Sequence, residues 1–130
     1  MKFFDRTKDY APIAVRYGVG IVFFLFGLSQ LTRPEAWIAY FPTDLPFGLV
    51  VNQAIMFNGI FDLILGALLL LGLFTRLFAA LAALHLIGVM SVLGYNDIAI
   101  RDFGLFLGSL SILFNGADKW SLDRVLRKNS

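Results

Sequence analysis

Two ionisable side chains stand deep inside apolar sequence, Asp62 in one run and His85 in the next. A carboxylate beside an imidazole is a pair suited to moving protons, because imidazoles change charge near neutral pH and a carboxylate favours the charged form. Asn58 precedes Asp62 by one helical turn, so the two share a face. Arg16, Gln30 and Asp102 complete the polar groups within or bordering the apolar runs. Asp62 and His85 are therefore the candidate catalytic residues. Arg16, Gln30, Asn58 and Asp102 are the candidate ligand-binding residues, acting through hydrogen bonds.

Each residue also has a structural reading. Asp62 can neutralise Arg16, or hydrogen-bond His85 to hold the fold. His85 can be a satisfied core histidine and Arg16 an anchor at the inner interface, reaching towards Asp62 or snorkelling back to water. Asp102 can be a helix N-cap or first-turn acid, and Asn58 a bond between helices. Asp62, His85 and Asp102 have no metal-ligand spacing, so no metal site is expected.

The composition narrows the chemistry further. The chain has no cysteine, which excludes disulfides, iron–sulfur clusters and thiol catalysis from its own side chains. It has one histidine, which excludes a haem held by two histidines of one subunit. The net charge is +2 and the basic residues sit towards the ends, leaving no footprint for nucleic acid.

The elements that must position these groups are membrane helices. Of 130 residues, 58% are hydrophobic and 15% charged, with a mean hydropathy of +0.77. Soluble domains run at about 45–50% apolar and about 25% charged. There is room for four spans of about 20 residues and little else. The expected fold is all-α: an integral membrane four-helix bundle forming a single domain over residues 1–130, with spans at about 11–31, 53–73, 77–93 and 99–115.

In the first span Arg16, Gly20, Phe23, Gly27 and Gln30 share one face, and its small residues let a neighbour approach closely. No small-residue cleavage site follows it, so it is not read as a signal peptide. Residues 32–52 hold three prolines with Trp37, Tyr40, Phe41 and Phe47, suited to the membrane surface. A short interfacial helix is expected at about Pro34–Tyr40. Phe74-Thr75-Arg76 is the expected hinge between spans two and three. Folding about it puts Asp62 opposite Ile87 and within about one turn of His85, near mid-membrane. Gly104, Gly108, Ser111 and Asn115 make a second small-residue stripe, and the tail ends in a short basic surface helix.

Orientation follows from the basic residues. With both termini in the cytoplasm, Lys2, Arg6, Lys8, Arg76, Lys119, Arg124, Arg127 and Lys128 lie inside, and Arg33 and Arg101 outside. That obeys the positive-inside rule and implies a multi-pass protein of the cell (inner) membrane.

Several stretches together resemble a known family. Arg16-Tyr17-Gly18 leads through Phe24-Leu25-Phe26-Gly27 to Gln30-Leu31. Gly66 to Arg76, GALLLLGLFTR, is followed by Leu77-Phe78-Ala79-Ala80, and the chain closes with Asn115 to Asp123, NGADKWSLD. These resemble the DoxX family of small four-helix membrane proteins over nearly the whole chain. The hinge and the tail are the most specific parts. The resemblance carries the family's first-span arginine, last-span polar position and closing tryptophan onto Arg16, Asp102 and Trp120. The last-span position is often glutamate in the family, and here the acid is shorter.

The resemblance implies a subunit of a quinone-linked oxidoreductase complex, with quinone or a similar apolar ligand bound in the bundle. Arg16, His85 and Asn58 would donate hydrogen bonds to its oxygens, and Asp62 and Asp102 would pass protons. A protein partner would supply the redox centres. Other relatives resemble chaperones, which makes a non-enzymatic scaffold or assembly protein the alternative. A small-solute or proton carrier is a third reading, against which stands the sparse polar lining of span four. The glycine stripes permit a homo-oligomer.

Overall fold

Proline in the first turn, where a missing N–H costs nothing, starts the first long helix, α1 (Ala11–Thr32), after a 3-10 turn at Lys8–Tyr10. The computed structural model describes residues 7–40, 50–93 and 97–128. A 3-10 helix at Pro34–Tyr40 follows α1, beginning at the expected proline. Next come α2 (Val51–Leu71), α3 (Thr75–Leu93), α4 (Asp97–Asn115) and the short α5 (Leu122–Lys128). Among the described residues there is no strand. The expected surface placement of Phe41 and Phe47, the side chain of Tyr40, loop residues 94–96, and Lys2 and Arg6 lie outside what is described.

The hinge differs from expectation by two residues. Gly72 takes the left-handed conformation at φ 75°, and the N–H groups of Gly72 and Leu73 return to the carbonyls of Leu69 and Leu68. This glycine-terminated closure ends α2 at Leu71. The turn is therefore Gly72-Leu73-Phe74, and Thr75 already belongs to α3.

α1 packs along α2, and α3 along α4, with α1 also touching α4; the consecutive helices α2 and α3 touch much less. The α1–α2 contact is backbone on backbone. A Cβ at Gly27 would lie 2.4 Å from Leu63 N, and one at Gly66 would lie 2.3 Å from Phe24 N. Lipid offers no hydrophobic drive between helices, so such close approach supplies the attraction. The first small-residue face is thus a packing face. The second packs only at Gly108, where a Cβ would lie 2.9 Å from Val19 Cγ2; one at Gly104 would meet nothing within 4 Å, and Ser111 and Asn115 are exposed.

Burial is inverted relative to a water-soluble domain. Arg16, Gln30, Asp62, Asp102, Ser109 and Asp118 are buried, while Leu25, Phe57, Ile64, Leu77, Leu84 and Phe114 are exposed. Such a surface suits hydrocarbon as its solvent, with the costly polar groups turned inward. Lys8–Thr32 and Val51–Leu71 are each long and apolar enough to cross a membrane. Val19, Phe23, Leu65, Leu69, Ala79, Ala82, Leu86 and Ile112 form the apolar core.

Candidate functional site

Helical spacing places Asn58 and Asp62 one turn apart on α2, facing α1 and α3. The Asn58 amide nitrogen donates to Gln30 Oε1 at 2.9 Å and to Asp62 Oδ2 at 3.2 Å. Asp62 Oδ1 lies 3.1 Å from His85 Nε2. Four side chains from three helices thus form one polar file, Gln30–Asn58–Asp62–His85. It descends from the end of α1 to the middle of α2 and α3.

Its two ends differ in character. The Asp62 carboxylate is 5% exposed, and its Oδ1 has no aligned hydrogen bond among the described residues; the contact with His85 is one of proximity and charge. A buried carboxylate oxygen in that state is costly and available. The His85 side chain keeps 21% of its exposure. Its ring sits 4.8 Å from Phe61 and 6.3 Å from Phe23 between centroids. Phe61 is exposed, Phe23 is buried, and α2 and α3 touch little. Chemically, this is a carboxylate–imidazole pair, able to hold a proton, beside one exposed and one buried aromatic ring.

Asp102 is buried on α4, paired with Arg101 Nη2 at 3.0 Å. The Arg101 guanidinium lies 4.3 Å from the Phe26 ring centroid, and Phe26 meets Trp37 edge-on at 5.5 Å. Trp37 Nε1 donates to Ser29 Oγ at 3.1 Å. Because α4 begins at Asp97, Asp102 lies beyond the first turn, and the reading of it as an N-cap does not hold.

Arg16 is not part of this group. Its guanidinium is fully buried and binds Asp118, with Nε at 2.7 Å from Oδ2 and Nη2 at 3.1 Å from Oδ1. Nη1 donates to the carbonyls of Leu69 and Leu70 at 2.7 and 2.8 Å. Arg16 therefore neither reaches Asp62 nor snorkels to water. It satisfies the last carbonyls of α2, where a helix leaves acceptors unpaired and carries partial negative charge.

Sequence reasoning missed the acids that complete this end. The Asp123 carboxylate accepts the Phe74 and Thr75 N–H groups and the Thr75 hydroxyl, each at 2.7 Å, capping α3 from a distant segment. Ser121 Oγ donates to Asp118 O at 2.8 Å, and Asp123 N–H donates to Gly72 O at 3.0 Å. Trp120 stands against Tyr10 and Tyr17 at the same end. The hinge and the tail are one clip. A signal existed: Arg16 lies near the N-terminal end of its span and needs an acid, and Asp118 and Asp123 are the only acids in residues 116–130 of the sequence. A cleft lined by Thr75, Arg76, Asn115 and Asp123 lies beside the clip, away from Asp62 and His85. Asp123 is committed there to the α3 cap. Among the described residues, no three acidic or histidine side chains cluster as a metal site would require.

The family model described as DoxX matches residues 11–94. The membrane protein Rv3486 of Mycobacterium tuberculosis is 29% identical, over 91% of this chain and 82% of its own length. CatD of Bacillus subtilis, whose name carries a provisional oxidoreductase assignment, is 30% identical over 95% of this chain and 92% of its own. No solved structure matches.

Proposed function

The chain belongs to the DoxX family of membrane proteins, and from that premise we propose that it is a small subunit of a quinone-linked oxidoreductase complex. It would bind a quinone, or a similar apolar ligand with polar oxygens, at the Asp62–His85 pair. We place it in the cell (inner) membrane as a four-span protein with both termini cytoplasmic. The observation that carries the reading is the buried Asp62 Oδ1 facing His85 Nε2 at 3.1 Å, beside the exposed Phe61 ring and with the imidazole partly exposed. The oxidoreductase name of the Bacillus relative supports the reaction class.

The residues present fit such a ligand. The exposed Phe61 ring suits a flat, lipid-soluble ring, and His85 would offer a ring nitrogen to one of its oxygens. Asp62 balances the imidazole when the latter carries a proton, and Asn58 and Gln30 hold Asp62 in place through their hydrogen bonds. When bound, a quinone supplies reversible two-electron, two-proton chemistry. The chain has no cysteine, and electrons would come from a partner protein with its own redox centres. Arg16 leaves the ligand set, because its donors serve Asp118 and the end of α2.

Quinone retained per chain, after purification in mild detergent and solvent extraction, tests the proposal. Near-stoichiometric quinone is expected, reduced to background in His85→Ala and in Asp62→Asn while both variants elute and unfold like the parent. Quinone at the bulk-lipid level in the parent, or unchanged in both variants, refutes the site. An Arg16 variant is the wrong control, since it would disturb the clip.

The scaffold reading draws on a different observation. The two most family-specific stretches meet in the clip, beside exposed Trp120, Val125 and Leu126, rather than at the polar file. Cross-linking from Trp120 that captures a partner, with quinone at background, would favour it.

A further inference from the structure

The buried polar groups are distributed unequally along the helices. From the end that carries Arg33 and Arg101, Gln30, Asp102, Asn58, Asp62 and His85 lead down to the middle. From there to the hinge end, the interior is Val19, Leu65, Leu69, Ala79, Ala82 and Ile112, all buried in one cluster. Ser109, the polar residue buried in that layer, turns its hydroxyl back to its own helix at Leu105 O, 2.9 Å away. Along α2 the apolar stretch from Asp62 to Leu69 is about 10 Å at about 1.5 Å per residue. Only beyond it stands Arg16, locked to Asp118.

We propose that Asp62 and His85 are reached by water, and exchange protons, only from the face that carries Arg33 and Arg101. The inference rests on reading this pair as the working site and adds the compartment it answers to. A buried water needs two to four polar partners, and among the described residues the layer from Val19 to Ile112 offers one side-chain hydroxyl, that of Ser109, already spent on its own helix. On the other side the file is continuous: Gln30 to Asn58, Asn58 to Asp62, and Asp62 to His85. Among the described residues, Asp102 and its partner Arg101 form a charged pair on this side, 3.0 Å apart. Each proton delivered to His85 or Asp62 is thus withdrawn from water on the Arg101 face, and each one released returns there.

The absence of cysteine from the chain makes the test direct. Gln30→Cys, Asn58→Cys, Ala79→Cys and Ala82→Cys are reconstituted singly in sealed vesicles. A membrane-impermeant methanethiosulfonate cation is added to one face at a time, and the remaining thiols are counted after solubilisation. Gln30→Cys and Asn58→Cys should be modified from the Arg101 face and spared from the Arg76 face; Ala79→Cys and Ala82→Cys should be spared from both. Gln30→Cys, near the end of α1, carries the test if Asn58→Cys does not elute as a folded protein. Modification of either polar-file cysteine from the Arg76 face, modification from neither face, or modification of Ala79→Cys or Ala82→Cys overturns the proposal. Thiol access and quinone content are separate readouts, so one-sided labelling without bound quinone removes the function and leaves the path.

Discussion

Replacing Asp118 with asparagine removes one charge and almost no volume from the clip that closes the hinge end. The Arg16 and Asp118 side chains are 1% and 2% exposed, so water cannot take over the role of the lost carboxylate. Exposed ion pairs contribute about 0–1 kcal/mol. Breaking a buried pair by removing one partner costs about 3–5 kcal/mol, because a charge is left without compensation. Arg16 keeps the carbonyls of Leu69 and Leu70, which places Asp118→Asn near the lower end of that range, about 3 kcal/mol. Arg16→Met should cost a similar amount, since it strips the same carbonyls of a donor. The double variant should lose less than the sum, with a coupling of about 2 kcal/mol, as expected for residues in direct contact. The assay is unfolding in a denaturing-detergent titration followed by tryptophan fluorescence, with Trp120 reporting from beside the clip. A loss of less than about 0.5 kcal/mol for Asp118→Asn, or no coupling in the cycle, refutes the account of this end as a buried electrostatic lock.

Other consequences follow from the same contacts. Gly27→Ala and Gly66→Ala drive a Cβ to 2.4 and 2.3 Å from backbone nitrogen, where no side chain can yield. Each should lower stability by at least about 1–3 kcal/mol in the same titration. Gly104→Ala meets nothing within 4 Å and should be neutral, or more stable by up to about 1 kcal/mol from helix propensity. Asp123→Ala uncaps α3 and should cost about 1–2 kcal/mol, with faster hydrogen exchange confined to the Phe74 and Thr75 amides. Asn58→Leu should leave the fold assembled yet reduce retained quinone in the extraction assay, because Asp62 loses the donor that orients it.

The helices were legible from local pattern because their causes are local. Apolar run length, Pro12 at the start of α1 and prolines in the connection set where helices form, and the periodicity puts Arg16, Gly20, Phe23, Gly27 and Gln30 on one buried face. The approach of Asp62 to His85 was legible for a related reason. A short hinge joins two runs of known rise per residue, so depth along one predicts depth along the other. The turn itself moved two residues because the left-handed conformation of Gly72 ends the helix earlier than the apolar run does. Sequence did not reveal how closely two similar stripes would pack: Gly27 meets backbone, whereas Gly108 meets the Val19 side chain and Gly104 meets nothing, a difference set by which helices become neighbours.

The pairing of charges belongs to the tertiary structure alone. Arg16 finds Asp118 across 102 positions and Thr75 finds Asp123 across 48, distances over which sequence periodicity carries no information. Sequence by itself determined that polar groups would be buried in an apolar chain, because their positions within the runs leave them no water. Only the fold decided the partition. Arg16 was drawn into a structural clip by the unpaired carbonyls at the end of α2, and Asp62 was left with one oxygen towards His85. That division, between a charge neutralised and a charge held available, separates the scaffold of this protein from its candidate site.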